Sequence, residues 1–102
     1  EDLAPTALEL TVMSLSGCIS TIFGVVASNS NVSFDSIKVE LDAEKPDNAP
    51  TITATKAQVT VKSSEEEDKI QRCLDKTLKT CPVGQLFEKA GVNVETELKV
   101  VQ

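Results

Sequence analysis

Between residues 10 and 28 no charged side chain interrupts the chain, and apolar residues fall on nearly every side of a 3.6-residue period. A helix apolar all round is a buried one, so this stretch predicts a long central helix. Thr6 stands where an N-cap belongs, and residues 1–6 predict a lead-in loop. Asn29-Ser30-Asn31 supplies a turn-rich stop. The small residues Ser14, Ser16, Gly17 and Ser20 leave room for another backbone to approach. After the helix the period changes: Ile37, Val39 and Leu41 alternate with Ser36, Lys38 and Glu40, which predicts a strand. Residues 44–50 form a connecting loop around two prolines. The next run, 52–61, has apolar residues at Ile52 and Ala54 and then at Ala57, Val59 and Val61. One extra residue near Lys56 would restore the facing, which predicts a β-bulge there.

Ser64 followed by Glu67 has the spacing of a capping box, and Glu65 and Glu66 suit the positive end of a helix. That helix is predicted to run to Lys79, with Ile70, Cys73, Leu74, Thr77 and Leu78 on its inner face. Lys76 and Lys79 suit its negative end. Pro82 at a first helical position opens a short helix that Gly91 closes. Finally Val92, Val94, Thr96, Leu98 and Val100 alternate with Asn93, Glu95, Glu97 and Lys99, a strand with one buried face. The predicted order is α-β-β-α-α-β, a single α+β domain over residues 1–102.

Composition narrows the function classes. A chain of 102 residues buries only about two-thirds of its unfolded surface, so help from a partner subunit is expected. A net charge of −6 and only three aromatic residues, Phe23, Phe34 and Phe87, argue against nucleic acid as a partner, since phosphates are repelled and stacking platforms are missing. The chain contains no histidine, which removes the Ser-His-Asp triad and the Cys-His dyad. Three cysteines without CxxC spacing make a zinc site improbable, and no metal or cofactor is expected. The 10–28 segment is long enough to span a membrane, but its many hydroxyl and glycine positions and the lack of flanking basic residues argue for burial in protein. An odd cysteine count, wide spacing and no signal peptide fit a reducing, cytoplasmic setting.

The cysteines carry the candidate chemistry. Cys18 lies inside the uncharged helix, and Cys81 directly precedes Pro82 where a helix begins. Only a folded chain could bring these two thiols together. At a helix N-terminus the dipole and free N–H groups favour a thiolate, so local electrostatics makes Cys81 the more acidic. The alternative is that Cys81 is only a small buried cap. Mid-helix, Cys18 lacks the dipole, and apolar surroundings would raise its pKa unless a cation lies nearby. Cys73, on an inner helical face, is expected to be structural.

The segment Leu8-Glu9-Leu10-Thr11-Val12-Met13-Ser14-Leu15-Ser16-Gly17-Cys18, together with Cys81-Pro82-Val83-Gly84-Gln85-Leu86, resembles the OsmC/Ohr family of osmotically inducible and organic hydroperoxide resistance proteins. The resemblance covers essentially the whole chain. It implies an OsmC-like fold, with the long central helix packed on an antiparallel sheet and the family's N-terminal strands missing from this chain. It further implies a Cys-based peroxidase. The residue at Cys18 would attack an organic hydroperoxide and become a sulfenic acid, and the residue at Cys81 would resolve it to a Cys18–Cys81 disulfide. An external dithiol reductant would then reopen the disulfide. Glu9 matches the family glutamate that orients an arginine beside the thiolate. That arginine comes from strands ahead of the helix, and the only arginine here, Arg72, matches no family position.

Family likeness also implies a homodimer with active sites at the subunit interface. The spacing points the same way. Nine residues of straight helix separate Glu9 from Cys18 by about 13.5 Å and about half a turn, so Glu9 would face away from its own Cys18. The alternative for Glu9 is a first-turn acid favoured by the dipole. Two other functions compete with the peroxidase: a non-catalytic member that binds a small apolar ligand or a protein, and a thiol sensor that forms the disulfide without turnover.

Overall fold

The computed structural model describes residues 6–102, so the lead-in loop expected over residues 1–5 lies outside the described residues. The elements follow the predicted order: α1 (Ala7–Asn29), β1 (Ser36–Glu44), β2 (Ala54–Lys62), α2 (Glu67–Thr80), α3 (Pro82–Lys89) and β3 (Asn93–Val101). Thr6 caps α1 as expected. Its hydroxyl accepts from Glu9 N at 3.1 Å, and Glu9 Oε1 accepts from Thr6 N at 2.7 Å, a reciprocal capping box.

Helix α1 buries one stripe, formed by Leu15, Ile19, Phe23, Val26 and Ala27. Its other face stays open: Leu10, Met13 and Val25 are each just over half exposed. The all-round burial predicted from its composition is therefore met on one side only. A three-stranded sheet and two shorter helices are all this chain can lay against it. Among the described residues α1 is the one helix long and apolar enough to cross a membrane, with a mean hydropathy of 1.9. Its buried stripe forms the centre of the core.

The sheet order is β1-β2-β3. β1 pairs antiparallel with β2, but β2 pairs parallel with β3. The sheet is thus mixed, not antiparallel throughout as expected. The physical reason is the α2–α3 connection, which carries the chain back to the end where β2 began, and a strand returning by such a crossover runs parallel. Alternation fixes which residues face inward but not strand direction.

No bulge interrupts β2. Its register against β1 is continuous from Ala54↔Glu44 to Lys62↔Ser36. The inner face is Thr55, Ala57, Val59 and Val61, all buried. Thr55 takes a core position with its Oγ1 unpaired. A polar residue on the apolar face, with Ile52 tucked in ahead of the strand, produced the apparent change of phase. The facing residues are Ile37, Val39 and Leu41 on β1 and Thr96, Leu98 and Val100 on β3.

The capping box expected at Ser64 does not form. Helix α2 begins at Glu67, and its N-cap Glu66 makes no side-chain cap. Ser63 organises this corner instead. Its Oγ accepts from Glu65 N at 3.0 Å and donates to the Ser33 carbonyl at 2.7 Å, while Glu65 Oε2 accepts from Ser33 N at 3.1 Å. Helix α3 starts with Pro82, as predicted, and Gly91 takes the left-handed conformation after it (φ 87°). The molecule measures 43 × 31 × 18 Å.

Candidate active site

Cys81 occupies the joint between two helices. Its N–H bonds to the Thr77 carbonyl and closes α2, while its own carbonyl accepts from Gln85 N and opens α3. Pro82 dictates this geometry. A residue before proline is pushed out of the helical region, and Cys81 is extended at φ −65°, ψ 114°. The chain turns there without a loop. Gln85 Nε2 donates to the Leu78 carbonyl at 3.2 Å and clips the two helices together. The Cys81 side chain is thereby held by backbone on both sides and is fully buried.

Cys18 sits on the flank of α1, half-buried, between the buried stripe and the open face. Helix α3 packs on α1, and this contact brings the two sulfurs to 2.7 Å. A disulfide bond is about 2.05 Å long, so little movement separates the two free thiols from a bond. The Cys81 S–H donates to Cys18 Sγ, and Gly84 N donates to Cys81 Sγ at 3.4 Å. At Gly84 a Cβ would meet Cys81 Sγ at 3.6 Å and Leu15 Cδ1 at 3.8 Å, so Leu15 backs the seam from α1.

The local electrostatic reading expected the helix N-terminus to lower the Cys81 pKa, and the structure places the shift in the other direction. Burial pushes the Cys81 thiol up from its ordinary value, and its hydrogen bond to Cys18 pushes it further. The Gly84 N–H pulls the other way and loses. Desolvation wins because a fully buried sulfur gains less from weak contacts with the Gly84 and Val83 amides than it loses in hydration. Burial thus favours the protonated form of Cys81, and Cys18 is the less buried of the two sulfurs.

Glu9 is not brought to this pair in its own chain. It lies nine residues before Cys18, about 13 Å along the helix, and its carboxylate caps α1. Cys73 lies elsewhere as well. It is buried on α2 and lines a cleft of about 600 Å³ at the far end of α1. Burial raises its pKa despite Lys76 and Arg72 nearby. Among the described residues no cluster of His, Cys, Asp or Glu could hold a metal ion. Two contributors escaped the sequence reading, Gly84 and Gln85. The signal was available in the positions after Cys-Pro, where the third residue of a helix presents a free N–H to its cap.

The family model described as OsmC-like protein matches residues 1–97. No curated protein sequence matches. Among solved structures, an OsmC-like protein from Mycoplasma pneumoniae superposes with a TM-score of 0.92 at 12% identity, over 99% of this chain and 75% of that one. An organic hydroperoxide resistance protein from Legionella pneumophila gives 0.75 at 14% identity, over 100% and 73%. The organic hydroperoxide resistance protein OhrB of Bacillus subtilis gives 0.71 at 18%, over 96% and 73%. At these identities the likeness establishes a shared fold.

Proposed function

Because this chain belongs to the OsmC-like protein family, we propose that it is a thiol peroxidase that reduces organic hydroperoxides. The observation that carries this reading is the 2.7 Å approach of Cys18 and Cys81 across the α1–α3 seam. Cys18 is the attacking sulfur, because it is the less buried member of the pair. Its thiolate displaces alkoxide from the hydroperoxide. The O–O bond breaks, an S–O bond forms, and the alkoxide takes a proton and leaves as alcohol. Cys81 sulfur then attacks the Cys18 sulfenic acid, the S–S bond forms, and the hydroxyl departs as water. An external dithiol reductant returns both thiols by exchange.

Apolar side chains exposed on the two helices that carry the thiols suit an alkyl substrate. Leu8, Leu10 and Met13 stand on the first half of α1, and Leu86 on α3. The same open, uncharged face supports a homodimer, in which Glu9 of one copy serves as a positioning residue for the thiol pair of the other. We place the protein in the cytoplasm, where a dithiol reductant is at hand.

Cumene hydroperoxide with dithiothreitol as reductant tests the reading. Cys18→Ser is expected to abolish turnover. Cys81→Ser is expected to allow one oxidation per chain and then to over-oxidise, while Cys73→Ser keeps most of the rate. A wild-type rate no better than that of free cysteine would refute the peroxidase and favour the non-catalytic binding module.

A further inference from the structure

In a chain of net charge −6, one cleft is lined by cations. It has a volume of about 600 Å³ and opens between the C-terminal end of α1 and the flank of α2. Lys69, Arg72, Lys76 and Lys79 follow one another at helical spacing along that flank. Lys69 is partnered by Glu65 at 3.7 Å, but Arg72, Lys76 and Lys79 have no carboxylate within bridging distance among the described residues. The one acid in the lining, Asp75, is taken by Gln71 Nε2 at 3.0 Å. Lys76 and Lys79 lie near the negative end of α2, which accounts for their sign. Arg72 lies two turns before that end, beyond the reach of the dipole.

The opposite wall supplies neutral donors. Ser30 and Asn31 line the cleft, and their side chains make no hydrogen bond among the described residues. The Val26, Ala27 and Ser28 carbonyls of α1 already accept from Ser30, Asn31 and Val32 N–H groups. The floor is apolar, formed by Val26, Val32 and Cys73. Cations and two neutral side chains able to donate thus surround an apolar base, with the Asp75 carboxylate held by Gln71, at a volume typical of small-ligand sites.

We propose that this cleft binds a small anionic amphiphile. Its carboxylate or phosphate head would be held by Arg72 and Lys76, with Ser30 and Asn31 opposite, and its short alkyl part would lie on Val26 and Val32. The site is separate from the thiol pair. Cys18 and Val26 are eight residues apart on α1, about 12 Å. Its test therefore needs no peroxidase activity.

Calorimetric titration of the reduced protein with octanoate, octyl phosphate, 1-octanol and inorganic phosphate decides it. Octanoate and octyl phosphate are expected to bind. The two arms show whether a carboxylate or a phosphate head is preferred. Octanol is expected to bind undetectably, and phosphate more weakly than octyl phosphate. The R72Q/K76Q protein should lose about tenfold or more in affinity, as expected for lost charge-assisted bonds. K38Q/K56Q makes the same charge change on lysines that pair with Glu40 and Glu97, and should shift affinity less than about twofold. All four substituted residues are exposed, and melting curves check that the folds are intact. Amide shifts on octanoate addition should centre on Asn31, Val32 and Cys73. Equal losses in the two double variants, shifts confined to other residues, or no binding up to about millimolar ligand would overturn the proposal. So would inorganic phosphate matching octyl phosphate, or binding seen only on anionic vesicles.

Discussion

Leu15 and Leu10 lie on one helix, five positions apart, in opposite circumstances. Leu15 is fully buried, while Leu10 is 53% exposed. Truncating a fully enclosed leucine removes its transfer free energy and leaves a cavity, at a cost of about 2–5 kcal/mol. Leu15 sits between the sheet-facing core and Gly84 of α3, where neighbours on three elements restrict collapse, so Leu15→Ala belongs in the upper half of that range. At roughly 4–8 °C per kcal/mol for a domain this size, the melting temperature should fall by well over 10 °C. Leu10→Ala should cost about 0.5 kcal/mol or less in the monomer. Thermal melts of both proteins at one low concentration measure the contrast. Leu15→Ala has a second expected effect. Its Cδ1 backs the seam that aligns the two sulfurs, and a disulfide held in poor geometry is strained and more easily reduced. The Cys18–Cys81 disulfide equilibrium in glutathione buffers should therefore shift toward the dithiol. A stability loss under about 1 kcal/mol would refute the closed core around Leu15. A large loss with an unchanged disulfide equilibrium would refute its part in aligning the thiols.

Two further outcomes follow from the same geometry. Cys73 and Cys81 both have thiol pKa values raised above 9.0 by burial, so above that pH the unfolded chain releases protons that the folded one keeps. The stabilisation is full below about pH 9 and is lost as pH rises through the folded values; denaturant midpoints should fall on the alkaline side, less steeply in Cys73→Ala, and a midpoint flat to pH 11 would count against both shifts. If the open face of α1 is a dimer seam, Met13→Glu should convert a wild-type dimer to monomer in sedimentation at low micromolar concentration. A wild-type monomer there removes the seam.

Much of the fold was legible because burial and period leave marks in single residues. Thr6, Pro82 and Gly91 fixed element ends by stereochemistry alone, and alternation in β1 and β3 named their inner faces. Strand direction was not legible, since parallel and antiparallel strands with one covered face share the same alternation. The bulge inferred near Lys56 failed at one residue, Thr55, whose polarity hid an inward position. At the site, the sequence located both sulfurs but ranked their acidities by the helix dipole. The burial that raises Cys81 instead depends on α3 lying against α1, a contact between segments 63 positions apart. From the sequence, Lys76 and Lys79 read as helix-end charges and were not joined to Lys69 and Arg72 as one cationic stripe. Its significance depended on the α1 terminus that faces it.

The separation of the two thiols in the chain has a mechanical consequence. A bond between Cys18 and Cys81 would encircle β1, β2 and α2, closing a loop across a separation of 63 positions. Closing a loop of that length restricts the unfolded ensemble by about 4 kcal/mol. Oxidation would then toughen the molecule as a whole, while the resting dithiol remains the state easier to unfold and to digest. A copy stalled for want of reductant would outlast its working neighbours under proteolysis, so its lifetime would record how well the reductant supply keeps pace.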